Sequence, residues 1–255
     1  GIAAAYSLAK FAGTIAWLGR TELGNPAVYM MDGYTPVQIS TPAIELAIQG
    51  YDTAVGVEDA IGWSYDRNGH KFYVLTFPTS NRTWVYDGTT RKWHERGYWD
   101  SAAADFTEYR PIFHAHCFNR NLVLDSDGFR IYSLSDTTYT DVGGSELRRV
   151  RRGPHISAEN KRIFIHSIEL EAERGVGQTA GQGADPQIGL RLSRDGGFTW
   201  GASRMRSMGA IGEYGTRIRW DQCGSGRDVV PEWWTTDPAP SRWIDAYAEV
   251  TVGRH

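Results

Sequence analysis

The sequence predicts an all-β protein: part of a β-propeller, about three four-stranded blades, followed by an antiparallel β-sandwich. Three observations carry this. The 29 glycines mostly separate short runs rich in Val, Ile, Tyr, Trp and Thr, the residue types that suit strands. Asp-Gly pairs at positions 32, 87 and 127 each stand between an aromatic or apolar run and its successor. Beyond residue 147 the runs alternate apolar and polar with a period of two, as half-buried strands do. At 255 residues, with 41% hydrophobic residues and 10 Trp, 13 Tyr and 9 Phe, the chain has the apolar faces that disordered chains lack.

A strand-like run at residues 13–18 comes first. Residues 28–39 read as strand, Asp32-Gly33 turn, strand. Residues 41–49 are the best helical candidate, with Thr41 as cap, Pro42 at the first helical position and Gly50 as stop. Residues 60–95 form the clearest unit, a four-stranded meander with turns at Asn68-Gly69 and Asp87-Gly88. Residues 122–134 repeat its strand, Asp-Gly, strand portion. The Asp-Gly turns lie 55 and 40 residues apart, which brackets the blade periods of about 40 to 50 residues. Three blades do not close a ring of about four to eight, and the chain starts at Gly1 without Met, so further blades are expected upstream.

An arginine-rich stretch, Arg148, Arg149, Arg151 and Arg152 before Gly153-Pro154, marks the expected boundary between a propeller-blade region, 1–146, and a sandwich region, 147–255. In the second region Ile168, Leu170 and Ala172 alternate with Glu169, Glu171 and Glu173, and Ile218 and Trp220 with Arg217 and Arg219. Arg191, Arg217 and Arg219 are expected to face those glutamates on a solvated sheet face. Residues 175–185 read as a loop, and residues 243–252 as the last strand.

Lys plus Arg number 27 against 30 Asp plus Glu, a net charge of -3, so a broadly basic duplex-coating surface is excluded. Cys117 and Cys223 make no disulfide scaffold and lack zinc-site spacing; both are expected to be reduced and buried. No run approaches the length of a membrane span, and residues 1–18 lack the basic start expected of a signal peptide. No membrane insertion is expected.

Ser193, Asp195, Gly197, Thr199 and Trp200 fit the Asp-box pattern of sialidases and other propellers. That pattern specifies a turn, with Asp accepting local hydrogen bonds and Trp burying its ring. No catalytic residues are assigned: Glu45, Asp59, Glu95, Asp125 and Glu213 are available carboxylates, but no pair is singled out as a glycosidase requires. Glu213-Tyr214 fits either a sialidase-like Tyr with its Glu base or an aromatic at a strand edge. His114 and His116 share a strand face, which suits joint metal ligation or ordinary packing; no third ligand is evident and no metal or cofactor is expected. The arginine stretch fits a solvated linker, or contact with a partner protein or DNA phosphate.

Residues 33–45, 69–87 with 93–97, 175–200 and 208–228 together resemble the packaged-DNA stabilisation proteins of short-tailed bacteriophages, in stretches spread over both regions of the chain. The resemblance implies a virion structural protein and no enzyme, corresponding to the C-terminal portion of longer relatives. It implies a tail hub that assembles with copies of itself as a ring, a hexamer. The hub would sit below the portal and adaptor ring, with a tail needle or plug protein, closing the channel over packaged DNA until genome ejection. It places the protein in the virion tail, and in the host cytoplasm during assembly. One departure is Pro231, which is expected to break the strand ladder after Asp228. The alternatives from other classes are a carbohydrate-active propeller enzyme of the sialidase-like glycosidase kind and a carbohydrate-binding module, the latter requiring Trp84, Trp93 or Trp200 on the surface.

Overall fold

The computed structural model describes residues 1–253, and it is all-β with one α-helix among the described residues. Two compact units divide between Ser135 and Asp136.

The first unit is a series of antiparallel meanders. Strands β1 (Ala9–Phe11), β2 (Thr14–Arg20), β3 (Pro26–Asp32) and β4 (Thr35–Gln38) form a four-stranded sheet in chain order. After helix α1 (Pro42–Ala54), a second four-stranded sheet follows in the same order: β5 (Ile61–Arg67), β6 (His70–Phe77), β7 (Arg82–Asp87) and β8 (Lys92–Arg96). Strands β9 (Tyr98–Asp100) and β10 (Asp105–Thr107) form a two-stranded sheet, and β11 (Pro111–Cys117), β12 (Arg120–Asp125) and β13 (Ile131–Ser133) make a third meander. That meander has three strands where four were expected. Residues 135–146, mostly Ser, Asp, Thr and Gly, offer no apolar period-two run to extend it. The three Asp-Gly turns do occupy one place, each leading into the last strand of its sheet.

The faces of these sheets pack on one another. On β6, Tyr73, Leu75 and Phe77 join a cluster with Phe11, Leu18, Val28, Ile44 and Ile48, while Val74 points the other way to Trp63, Val85 and Val123. The middle sheet is therefore covered on both sides, which is why β6 reads as a continuous apolar run. At Gly62 on β5 a Cβ would fall 2.1 Å from Ser7 O, so only glycine lets the segment at Ser7 approach. That carbonyl accepts the Tyr73 hydroxyl at 2.6 Å.

The helix starts at Pro42 as expected but runs past Gly50 to Ala54. Tyr51 packs on Phe77 with ring centroids 5.3 Å apart, and Arg20 holds Asp52 at 2.8 and 2.9 Å. These contacts offset the roughly 1 kcal/mol that a mid-helix glycine costs.

The second unit is a two-sheet sandwich. Its strands are β14 (Arg149–Arg152), β15 (Ile156–Ser157), β16 (Ile163–Ala172), β17 (Gln187–Ser193), β18 (Arg204–Ser207), β19 (Ile218–Gly226), β20 (Asp228–Thr235) and β21 (Trp243–Val252). One sheet has the order β14, β20, β17, β18, with β15 also on β20, and the other the order β19, β16, β21. Between them lie Ile163, Ile165, Ile168, Leu170, Ile188, Leu190, Ile218, Trp220 and Trp233. Arg217 meets Glu169 on the outer face as expected, at 2.7 Å through two bonds. Arg191 does not join them. It lies on the other sheet, because β17 pairs with β20 and not with β16.

Pro231 does not break its strand; β20 is a central strand and runs on to Thr235. In a strand the N and C=O of one residue point to the same neighbour, and Pro231 O accepts Gly153 N at 2.9 Å. The missing N–H therefore faces Gly153-Pro154, where β14 has ended and β15 has not begun. Cys223 is buried as expected, but Cys117, on the narrow third meander, is only half-buried.

Candidate functional site

The β17–β18 connection forms the predicted turn. Asp195 accepts hydrogen bonds from Ser193 Oγ at 2.6 Å, Thr199 Oγ1 at 2.6 Å, Thr199 N at 2.9 Å and Phe198 N at 3.1 Å. Gly197 N donates to Ser193 Oγ at 2.8 Å. The Ser193 and Thr199 donors hold the Asp195 carboxyl well below the usual carboxylate range.

Trp200 is half-buried and does not enter the core as expected. Two guanidiniums, those of Arg152 and Arg191, each lie 4.9 Å from the centroid of its ring. Both arginines bind one carboxylate: Arg152 Nε meets Glu232 Oε2 at 2.8 Å and Arg191 Nε meets Glu232 Oε1 at 2.5 Å. Glu232 is 1% exposed. The arginine stretch and the turn motif, 41 or more residues apart in sequence, thus converge on one face of the wider sheet.

The other arginines extend this face or anchor it. Arg148 sits 4.2 Å over the Trp234 ring, and Trp234 has room because Gly189, its cross-strand neighbour, has no Cβ to meet the indole at 2.6 Å. Arg149 points the opposite way and donates to Ala239 O at 2.8 Å, Ser241 Oγ at 2.9 Å and Tyr139 O at 3.4 Å. Burial pushes the Arg148 and Arg149 guanidiniums down, and Arg191 adds to this at Arg148. Arg151 is exposed at the sheet edge. Three of the four arginines therefore have partners within their own unit. Sequence reasoning missed Glu232 and Trp234 altogether; the signal was their alternation with the core residue Trp233.

The remaining candidates do not converge. Among the carboxylates, Glu45 accepts from Ser40, Asp59 from Thr79, and Glu213 from Ala210 N. Glu95 pairs with Arg82 at 3.6 Å, and Asp125 pairs with Arg110. Tyr214, beside Glu213, is 68% exposed. His114 and His116 do share a face, and both bond Asn121 Oδ1, at 3.0 and 3.1 Å. They line a cleft of about 460 Å³ with Lys10, Asp66 and Lys71. Among the described residues no group of three His, Cys, Asp or Glu is placed to hold a metal ion. Trp84 and Trp93 donate to Tyr51 and to Ile39 O and pack against the first core, so they present no exposed row.

The architecture of meanders followed by a sandwich has a counterpart among known families. Residues 1–139 match a family model described as bacteriophage P22 Gp10, beta-propeller, and residues 148–251 match one described as bacteriophage P22 Gp10, beta-sandwich. The chain belongs to the bacteriophage P22 Gp10 family. It is thus a phage structural protein of the Gp10 kind, with the propeller and sandwich in the order that the two units show. No curated protein matches it. Solved structures with partial likeness include a glycoside hydrolase family 43 arabinoxylan arabinofuranohydrolase from Bacillus subtilis, at 11% identity and a TM-score of 0.22 over 97% of this chain. This chain spans 53% of that enzyme. A second glycoside hydrolase is 8% identical, with 92% of this chain and 70% of that one covered at a TM-score of 0.22. At such scores the likeness carries no argument about the Gp10-family chain.

Proposed function

We propose that this Gp10-family chain is a tail hub subunit, which assembles with identical copies as a hexameric ring below the portal and adaptor ring. With a needle or plug protein it closes the channel and stabilises the packaged DNA until ejection. The protein is made in the host cytoplasm and ends in the virion tail. The observation that carries this reading is the match of both units, in order, to the two Gp10 models.

The physical character of the chain supports it. Ring subunits join by heterologous contacts that close under rotation, and a channel wall under pressure needs kinetic stability more than mobile loops. Sheets covered on both faces and a sandwich face held by arginine, tryptophan and a buried glutamate suit that task. A net charge of -3 offers DNA no broad grip that would slow its exit. Electron microscopy of virions tests the reading: a ring of this protein in the tail is expected, and particles lacking the protein are expected to lose DNA. A tail complete without it, or sugar release from a glycan panel abolished by one carboxylate substitution, would overturn it.

A further inference from the structure

The two sheets of the sandwich differ in width. One spans four strand positions and the other three. They close on each other at β18 and β19, where Trp220 Nε1 donates to Arg204 O at 2.8 Å and Arg206 Nε to Arg219 O at 2.9 Å. On the far side the narrower sheet ends at β21, one strand short of its partner.

Strand β21 is ten residues long and pairs with β16 along one edge; among the described residues its other edge joins no ladder. Ala246, Ala248, Val250 and Val252 stand opposite Leu170, Ile168, Ile165 and Ile163, which are all buried. Directly opposed residues share a face, so this apolar row continues the core. All four are nevertheless exposed, Val250 at 41% and Val252 at 47%.

The two edges of the wider sheet are protected in the ways that prevent stray pairing. Strand β14 is four residues long, ends at Gly153-Pro154 and carries Arg151 opposite the core residue Trp233. Strand β18 is also four residues long and lies against β19. Strand β21 contains neither Pro nor Lys. It is long and open, with its one bulge at Ile244 near its start.

The outer row of β21 fixes the chemistry of what pairs there. Asp245, Tyr247 and Glu249 stand opposite Glu171, Glu169 and Ser167. Arg217 is engaged by Glu169, and Arg219 is held by Asp221 at 2.7 Å and reaches Glu249 only at 3.4 Å, so the rim is acidic. Pairing of β21 with itself about Tyr247 would set Asp245 against Glu249, pairing about Glu249 would set that residue against its own copy, and pairing about Ala248 would set Asp245 against Thr251 and Glu249 against Tyr247, leaving both carboxylates without a cation that a basic strand would supply. Like charges directly opposed are destabilising. We propose that the open edge of β21 receives an extended segment of another protein, alternating small apolar residues toward the core with Lys or Arg opposite Asp245 and Glu249, as the next strand of the sheet. The inference concerns the sandwich alone and goes beyond the ring reading, which does not require it.

The test uses the full chain and two fluorescent peptides, Val-Lys-Val-Lys-Val-Lys-Val and Val-Glu-Val-Glu-Val-Glu-Val, with binding read by anisotropy and hydrogen exchange. The basic peptide is expected to bind at least about tenfold tighter, a difference of ~1.4 kcal/mol, and to slow exchange in β21. A proline at its centre should abolish binding, and the Asp245→Lys, Glu249→Lys double variant should reverse the preference. Equal binding of both peptides, or protection away from β21, would overturn the proposal. So would protection of β21 that grows with protein concentration and no peptide, which assigns the edge to a second copy.

Discussion

Glu232 is a buried carboxylate with two arginines bound to it, both in contact with the ring of Trp200. Its removal leaves Arg191 and Arg152 without their shared acceptor, and breaking a buried pair from one side is the costly direction. Because Arg152 retains solvent on its open side, Glu232→Ala is expected to destabilise the sandwich by about 2 to 4 kcal/mol, measured by urea unfolding. The arginine stretch divides by the same logic. Arg149→Gln forfeits bonds to Ala239 O and Ser241 Oγ and should cost about 1 to 3 kcal/mol. Arg151→Gln, at an exposed position, should change stability by no more than about 0.5 kcal/mol. Only Arg151 can therefore report on a partner or DNA contact without a folding defect, and DNA retention by particles carrying Arg151→Gln is the measurement that does so.

Strand β5 shows how one small residue admits a neighbouring segment. Gly62→Ala would drive a Cβ into the backbone carbonyl of Ser7, an atom that cannot swing aside. The segment must then shift and release the Tyr73 bond, and a loss of about 3 kcal/mol or more is expected in thermal melts of the first unit. On β8, burial and then the nearby Arg96 charge push the His94 imidazole down to about 4. Arg96 Nε donates to His94 Nε2 at 3.1 Å, a bond that only the neutral ring accepts. The unfolded chain binds this proton near the ordinary value of about 6.5 while the folded chain does not. His94 therefore contributes stability that is complete above that pH and is lost as pH falls toward about 4. The melting temperature of the first unit should decline across that window, and His94→Gln should flatten the decline.

The two units have separate cores, and we expect each to fold as a cooperative body. Where the second begins is testable. Tyr139 lies under the Arg149 guanidinium, 5.8 Å from it, and its carbonyl accepts from Arg149. A fragment starting at Asp136 should therefore be more stable in urea than one starting at Leu147, by about 1 to 2 kcal/mol. Equal midpoints would place the boundary at the arginine stretch. The composition changes at residue 147, while Tyr139, in the polar run before it, touches Arg149.

The sequence by itself determined the strand-rich class, the Asp-Gly turns, the core rows of β16 and β19 and the Asp-box turn. Each of these rests on residues near one another in the chain, where period-two alternation and side-chain bonding to nearby backbone act directly. The extra turn of α1 beyond Gly50, the passage of β20 through Pro231 and the sheet to which Arg191 belongs were decided by tertiary structure. Tyr51 meets Phe77, Pro231 faces the gap at Gly153-Pro154, and Arg191 meets Glu232 through strand order. The convergence of Arg152, Arg191, Trp200 and Glu232 was likewise invisible from spacing. Local preference fixes which residues can form a strand, but only the order of strands in a sheet fixes which side chains share its face.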